Sequence, residues 1–163
     1  MSKIALGTVQ FGIDYGINSE NGQVQPEEVR SILNYAHSKD IDLLDTAPAY
    51  GNSEKTLGRM DISNFKVVTK TRHFDSLEIN NNDVKLLNND FHHSLKDLKQ
   101  YSVYGVLIHD ADDLLKPGAE KLFDKLQELK QAEKIVKIGV SVYDHSQLQS
   151  ILDNFSIDLV QLP

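Results

Sequence analysis

The chain has 163 residues, 40% of them hydrophobic and 25% charged, enough to bury the core of one globular domain spanning residues 1–163. A formal net charge of −7 argues against nucleic acid or an anionic membrane surface as partner, since both need clustered basic residues. There is no cysteine for disulfide or thiolate chemistry, no basic-then-apolar leader and no run of about 20 apolar residues, so a cytoplasmic protein is expected.

The predicted elements alternate strictly. Lys3 to Leu6 reads as a short strand, followed by a glycine-bearing loop from Thr8 to Gly22 that carries Gln10, Tyr15 and Asn18. Pro26 opens a helix to about Lys39, with acids in its first turn and Val29, Ile32, Leu33 and Ala36 at helical spacing. Ile41 to Leu44 is a second strand, stopped by Pro48 and Gly51, and Ser53 to Leu57 has the cap and first turn of a short helix. Phe65 to Thr69 is the third strand, and a polar loop from Thr71 to Asp83 leads to a helix striped by Val84, Leu87, Phe91, Leu95 and Leu98. Tyr104 to Ile108, Ile135 to Val140 and Asp158 to Gln161 are the remaining strands. Between them lie helices marked by Leu122, Phe123, Leu126 and Leu129, and by Leu148, Ile151, Leu152 and Phe155.

Near-continuous apolar strands separated by amphipathic helices predict an α/β fold with a parallel sheet of about six strands and five to six helices. A doubly wound sheet and an incomplete (β/α)8 TIM barrel both satisfy that order. The polar residues favour the barrel: Asp45, Lys70, His109, Ser141 and Gln161 fall at or just beyond the ends of five successive strands, as barrel enzymes distribute a site. A dinucleotide-binding sheet would instead gather glycines as GxGxxG after its first strand, but Gly7, Gly12 and Gly16 are five and four apart.

These residue types suit carbonyl chemistry. Tyr50 is the candidate acid, because a phenol beside an ammonium ionises more readily, and Lys70 is the candidate ammonium. Asp45 can pair with Lys70, and a neutral His109 imidazole can hydrogen-bond a carbonyl oxygen beside the phenol. Such a set polarises and protonates C=O while a cofactor supplies electrons.

Gly7-Thr8, the Asp-Thr-Ala-x-x-Tyr-Gly-x-Ser-Glu run from Asp45 to Glu54, Lys70 ending a strand, and Leu107-Ile108-His109-Asp110 together resemble the aldo-keto reductase family over essentially the whole chain. The resemblance implies Asp45, Tyr50, Lys70 and His109 as catalytic residues in NADPH-dependent aldehyde or ketone reduction, or the reverse oxidation, with NADH as the other candidate cofactor. It places Thr8 near the cofactor ribose and Ser141 and Gln161 at the nicotinamide carboxamide, with Asp45 also bordering the cofactor. Val142 departs from the asparagine that many members carry there. The opening Leu6-Gly7-Thr8-Val9-Gln10-Phe11-Gly12 is similar to bacterial members among sugar-modifying enzymes, which suggests a small carbonyl substrate of sugar origin.

A full barrel needs about 250 residues, and the last strand here resembles the family's sixth. The segments that hold the cofactor's pyrophosphate and 2′-phosphate in the family would then be lacking. The expectation is a truncated member, inactive or impaired alone, whose open edges and bare apolar interior promote self-association. The rival reading is a catalytically silent relative that binds cofactor or partner through the same scaffold. No metal is expected: His109 to Asp113 reads as a solvated loop, His92 and His93 as water-facing, and Asn80 to Asn82 as a polar surface run.

Overall fold

Six strands run parallel and pair in chain order: β1 Leu6–Gly7, β2 Leu43–Asp45, β3 Lys66–Lys70, β4 Val103–Ile108, β5 Ile135–Ser141 and β6 Leu159–Gln161. This is seen in a computed structural model that describes residues 4–16 and 22–162. Each strand neighbours its successor, so the sheet never reverses direction as a doubly wound sheet must, and it curls as an incomplete barrel. Lys3 and Asn18, named above, lie outside the described residues.

Among the described residues, five α-helices cover one face: α1 Pro26–Ser38, α2 Ser53–Leu57, α3 Asn81–Leu98, α4 Glu120–Gln131 and α5 His145–Asn154. Their apolar stripes pack on the strand residues that point outward. Val29 and Leu33 of α1, Leu87 and Leu98 of α3, and Leu122 and Leu126 of α4 share one core with Leu44, Val67, Val106, Ile108, Ile138 and Val140. No helix among the described residues is long and apolar enough to cross a membrane.

The strand register sets the other face. Gly7 pairs with Asp45, Asp45 with Val68, Val68 with Gly105, Lys70 with Leu107, Leu107 with Gly139, and Ser141 with Gln161, so these residues share the inner side. The expectation of a bare apolar interior fails here: Val68 is 4% and Leu107 1% exposed. The reason is that Gly105 and Gly139 lack side chains. A β-carbon on Gly105 would lie 3.4 Å from Leu159 Cδ2, so β6 leans in over β4 and β5 and covers them.

Several boundaries and burials also differ from expectation. The second strand starts at Leu43 rather than Ile41, because Asp40 turns at φ 57° and the Ile41 N–H closes the end of α1 on the Ala36 carbonyl. The polar surface run holds a helix end in place. Asn80 caps α3 by accepting from the Asn82 N–H, and buried Asp83 accepts in return from the Asn80 N–H. The loop after β3 buries Phe74 and Ile79. Nor is the segment after β4 simply solvated. It forms a 3-10 turn, Ala111–Leu114, in which Asp113 is fully buried, accepts the Phe74 N–H at 3.2 Å and pairs with Lys116 at 2.7 Å. His92 and His93 are exposed, as expected.

Candidate active site

The C-terminal strand ends gather the polar residues that the sequence singled out. Asp45 ends β2, Lys70 ends β3, Ser141 ends β5, Gln161 ends β6, and His109 lies one residue past β4. Tyr50 arrives from the turn between β2 and α2. Tyr50, Lys70, His109, Ser141 and Gln161 all line one cavity of about 170 Å³.

Lys70 is the most enclosed of them, its side chain 2% exposed. Its ammonium lies 2.5 Å from Asp45 Oδ1, donates to the Thr46 carbonyl at 3.2 Å and sits 4.9 Å from the centre of the Tyr50 ring. A buried ammonium needs such a counter-charge and acceptors, because desolvation otherwise costs several kcal/mol. Tyr50 and His109 meet edge to face, centroids 6.2 Å apart at 87°. Both rings and the Lys70 side chain line the same cavity.

His109 is held from behind, its backbone N–H donating to Thr71 Oγ1 at 3.2 Å. Burial pushes the imidazole pKa below its ordinary value, and the Lys70 charge pushes the same way against the weaker opposing pull of Asp45. The ring is therefore neutral near pH 7 and can donate or accept one hydrogen bond in the cavity. Among the described residues, the Tyr50 hydroxyl, the His109 ring nitrogens, the Ser141 hydroxyl and the Gln161 amide have no hydrogen-bond partner within the protein.

Thr8 is the predicted residue that stands apart. It is fully buried, and both its N–H and its hydroxyl donate to the Asp45 carbonyl at 2.9 Å, so it fixes the end of β2 from behind the cavity. Val142 also faces away, 1% exposed, and only its N–H is turned to β6, donating to the Gln161 carbonyl.

Sequence reasoning missed the support beneath these groups. Ser53, read above as a cap, is fully buried in the first turn of α2; its hydroxyl donates to the Thr8 carbonyl at 2.8 Å and accepts from Thr46 Oγ1 at 3.1 Å. Glu54, 5% exposed, accepts a 2.6 Å hydrogen bond from the Thr69 hydroxyl, one residue before Lys70. Its spacing of three from buried Leu57 was the available signal, since both then share a helix face. Tyr143, two residues past β5, lines the same cavity and was also missed.

The Aldo/keto reductase family model matches residues 3–163. Among solved structures, a Pseudomonas aeruginosa protein described as an aldo-keto reductase superposes with a TM-score of 0.79 at 26% identity, covering 97% of this chain and 61% of its own. A glycerol dehydrogenase from Gluconobacter oxydans gives 0.72 at 23% identity, covering 100% and 51%. A Bombyx mori aldo-keto reductase in complex with NADP gives 0.69 at 23% identity, covering 98% and 53%. The chain thus spans about half to three-fifths of the length of these proteins. No curated protein matches the sequence.

Proposed function

This chain belongs to the aldo/keto reductase family, and we propose that its strand-end site reduces an aldehyde or ketone, or runs the reverse oxidation, with Tyr50 as proton donor and NADPH as cofactor. The observation that carries the reading is the single cavity walled by Tyr50, Lys70, His109, Ser141 and Gln161, with Lys70 clamped to Asp45.

A carbonyl oxygen seated between the Tyr50 hydroxyl and neutral His109 accepts a hydrogen bond from each. The Lys70 ammonium beside the phenol stabilises the negative charge that proton transfer leaves on its oxygen, and Asp45 holds that ammonium in place. When bound, NADPH would supply the hydride. With a hydride supplied to the carbonyl carbon, Tyr50 would give its proton to the oxygen, leaving an alcohol and a phenolate that water reprotonates. Ser141 and Gln161 offer an unengaged hydroxyl and amide on neighbouring strands, a donor and acceptor set that fits a carboxamide such as that of nicotinamide. The NADP held by the Bombyx mori relative supports this cofactor class.

The test is titration of the chain with NADPH, read by nicotinamide fluorescence, followed by NADPH oxidation with a small aldehyde. Tyr50→Phe is expected to keep cofactor binding and to lower reduction by about a hundredfold or more. Reduction that survives Tyr50→Phe unchanged would show that the proton comes from elsewhere.

A further inference from the structure

Glu54 is a buried carboxyl that the proton transfer described above does not use. It is 5% exposed, and the groups that hydrogen-bond it are the hydroxyls of Thr69, at 2.6 Å, and of Ser94 rather than a cation. Asp97 adds a like charge nearby. Arg72 lines a cavity with Glu54, yet its guanidinium is taken by Asp90 through two hydrogen bonds. Burying a carboxyl in this way is costly, so the hydrogen bond it makes to β3 needs a reason beyond packing.

That bond joins the two elements that carry Tyr50 and Lys70. Thr69 precedes Lys70 on β3 and pairs with Val106, so its side chain points out toward the helices while that of Lys70 points in. Glu54 lies in α2, and the Ser53 N–H, one residue before it, donates to the Tyr50 carbonyl at 3.1 Å, which ties the turn bearing Tyr50 to this helix. α2 has five residues, too few to hold its place without tertiary ties. Ser53 ties it to Thr8 and Thr46, and Glu54 ties it to β3.

We propose that Glu54 is a positioning residue: through Thr69 it fixes α2 against the end of β3 and so sets the separation of the Lys70 ammonium from the Tyr50 ring, 4.9 Å to its centre. Its part in catalysis rests on the function proposed above, in which the ammonium stabilises charge on the phenol oxygen. That effect weakens as the two groups part.

NMR of the 163-residue chain tests this without cofactor or substrate, and so apart from the Tyr50→Phe assay. The Lys70 ε-methylene signals are shifted by the Tyr50 ring current and report the separation; a Tyr50→Leu chain gives their values without the ring. Thr69→Val and Glu54→Leu break one bond from its two ends. Each is expected to move the Lys70 signals toward the Tyr50→Leu values, and the double variant no further than either alone, as removal of one shared interaction requires. Glu54→Gln keeps an acceptor for the Thr69 hydroxyl and is expected to leave the signals at the parent values. If Glu54→Leu does not fold, Thr69→Val still reads the same bond. Lys70 signals that stay at the parent values in Thr69→Val while the urea midpoint falls would make the bond purely structural and overturn the proposal. So would an equal displacement by Thr69→Val in the Tyr50→Leu chain, where no ring is left to report.

Discussion

Asp45 and Lys70 lie on neighbouring strands, 25 residues apart in sequence, and their carboxylate and ammonium close to 2.5 Å with the lysine side chain 2% exposed. The pair is asymmetric, since the Asp45 side chain keeps 18% exposure and can reach water if its partner goes, whereas the ammonium cannot. Removing the carboxylate charge is therefore the more damaging change. Asp45→Asn is expected to destabilise the chain by about 3 kcal/mol, and Lys70→Met, which removes the buried charge itself, by less than half of that. Urea unfolding midpoints decide it; an asparagine variant more stable than the methionine variant would contradict the picture.

The same ammonium acts on His109. Burial and then the Lys70 charge lower the imidazole pKa below the ordinary value of 6.5. Histidine NMR should show His109 titrating below that value, and Lys70→Met should move the midpoint up toward it. The sign for stability follows: a lowered folded pKa means that the unfolded chain binds more protons. The contribution is complete above pH 6.5 and is lost as pH falls through the folded value. A His109 midpoint that Lys70→Met leaves in place would remove the lysine from the account.

Strand ends were legible in the sequence because each inner-sheet strand is a short apolar run that stops abruptly at a polar residue. Lys70 after Val67, Val68 and Thr69, and His109 after Val106, Leu107 and Ile108, announce themselves in that way. What stayed hidden was burial of polar groups by partners far away in the chain. Asp113 looks solvated in its acidic segment, yet it is enclosed by the Phe74 backbone 39 residues earlier. Thr8 is expected near the cofactor ribose, and its hydroxyl also donates to the Asp45 carbonyl 37 residues later. Periodicity reports which face of an element is apolar and carries no information on which distant backbone a carboxylate or hydroxyl will meet.

Glu54 is such a hidden group, and it makes a pH prediction of its own. Burial raises its pKa above the ordinary value of 4.5, against hydrogen bonds from Thr69 and Ser94, and nearby Asp97 adds to the rise. A raised folded pKa means that the native state holds the proton after the unfolded chain has lost it. The contribution to stability is therefore complete below pH 4.5 and fades as pH rises through the folded value. Glu54→Gln keeps an acceptor for the Thr69 hydroxyl and removes the titration. Its stability, from urea midpoints over the pH range from about 4.5 to 8, should fall less with rising pH than that of the parent chain. Parallel pH profiles would assign the parent's slope to another group.

Gly12 ties the loop after β1 to the turn that carries Tyr50. A β-carbon at Gly12 would lie 1.7 Å from the Tyr50 carbonyl oxygen and 2.4 Å from the Ser53 nitrogen, both backbone atoms that cannot swing aside. Gly12→Ala must therefore displace one of the two segments, at a cost of about 2 kcal/mol or more by the measure of other overpacked sites. The displacement should also carry the Tyr50 ring away from His109, whose ring it meets edge to face at 6.2 Å. Gly7→Ala is the control: nothing lies within 4 Å of a β-carbon there, so its stability should stay within about 0.5 kcal/mol of the parent. The His109 ring signal, shifted by the Tyr50 ring current, reports the movement directly. If Gly12→Ala leaves both that signal and the urea midpoint unchanged, the close approach of the two loops does not position Tyr50.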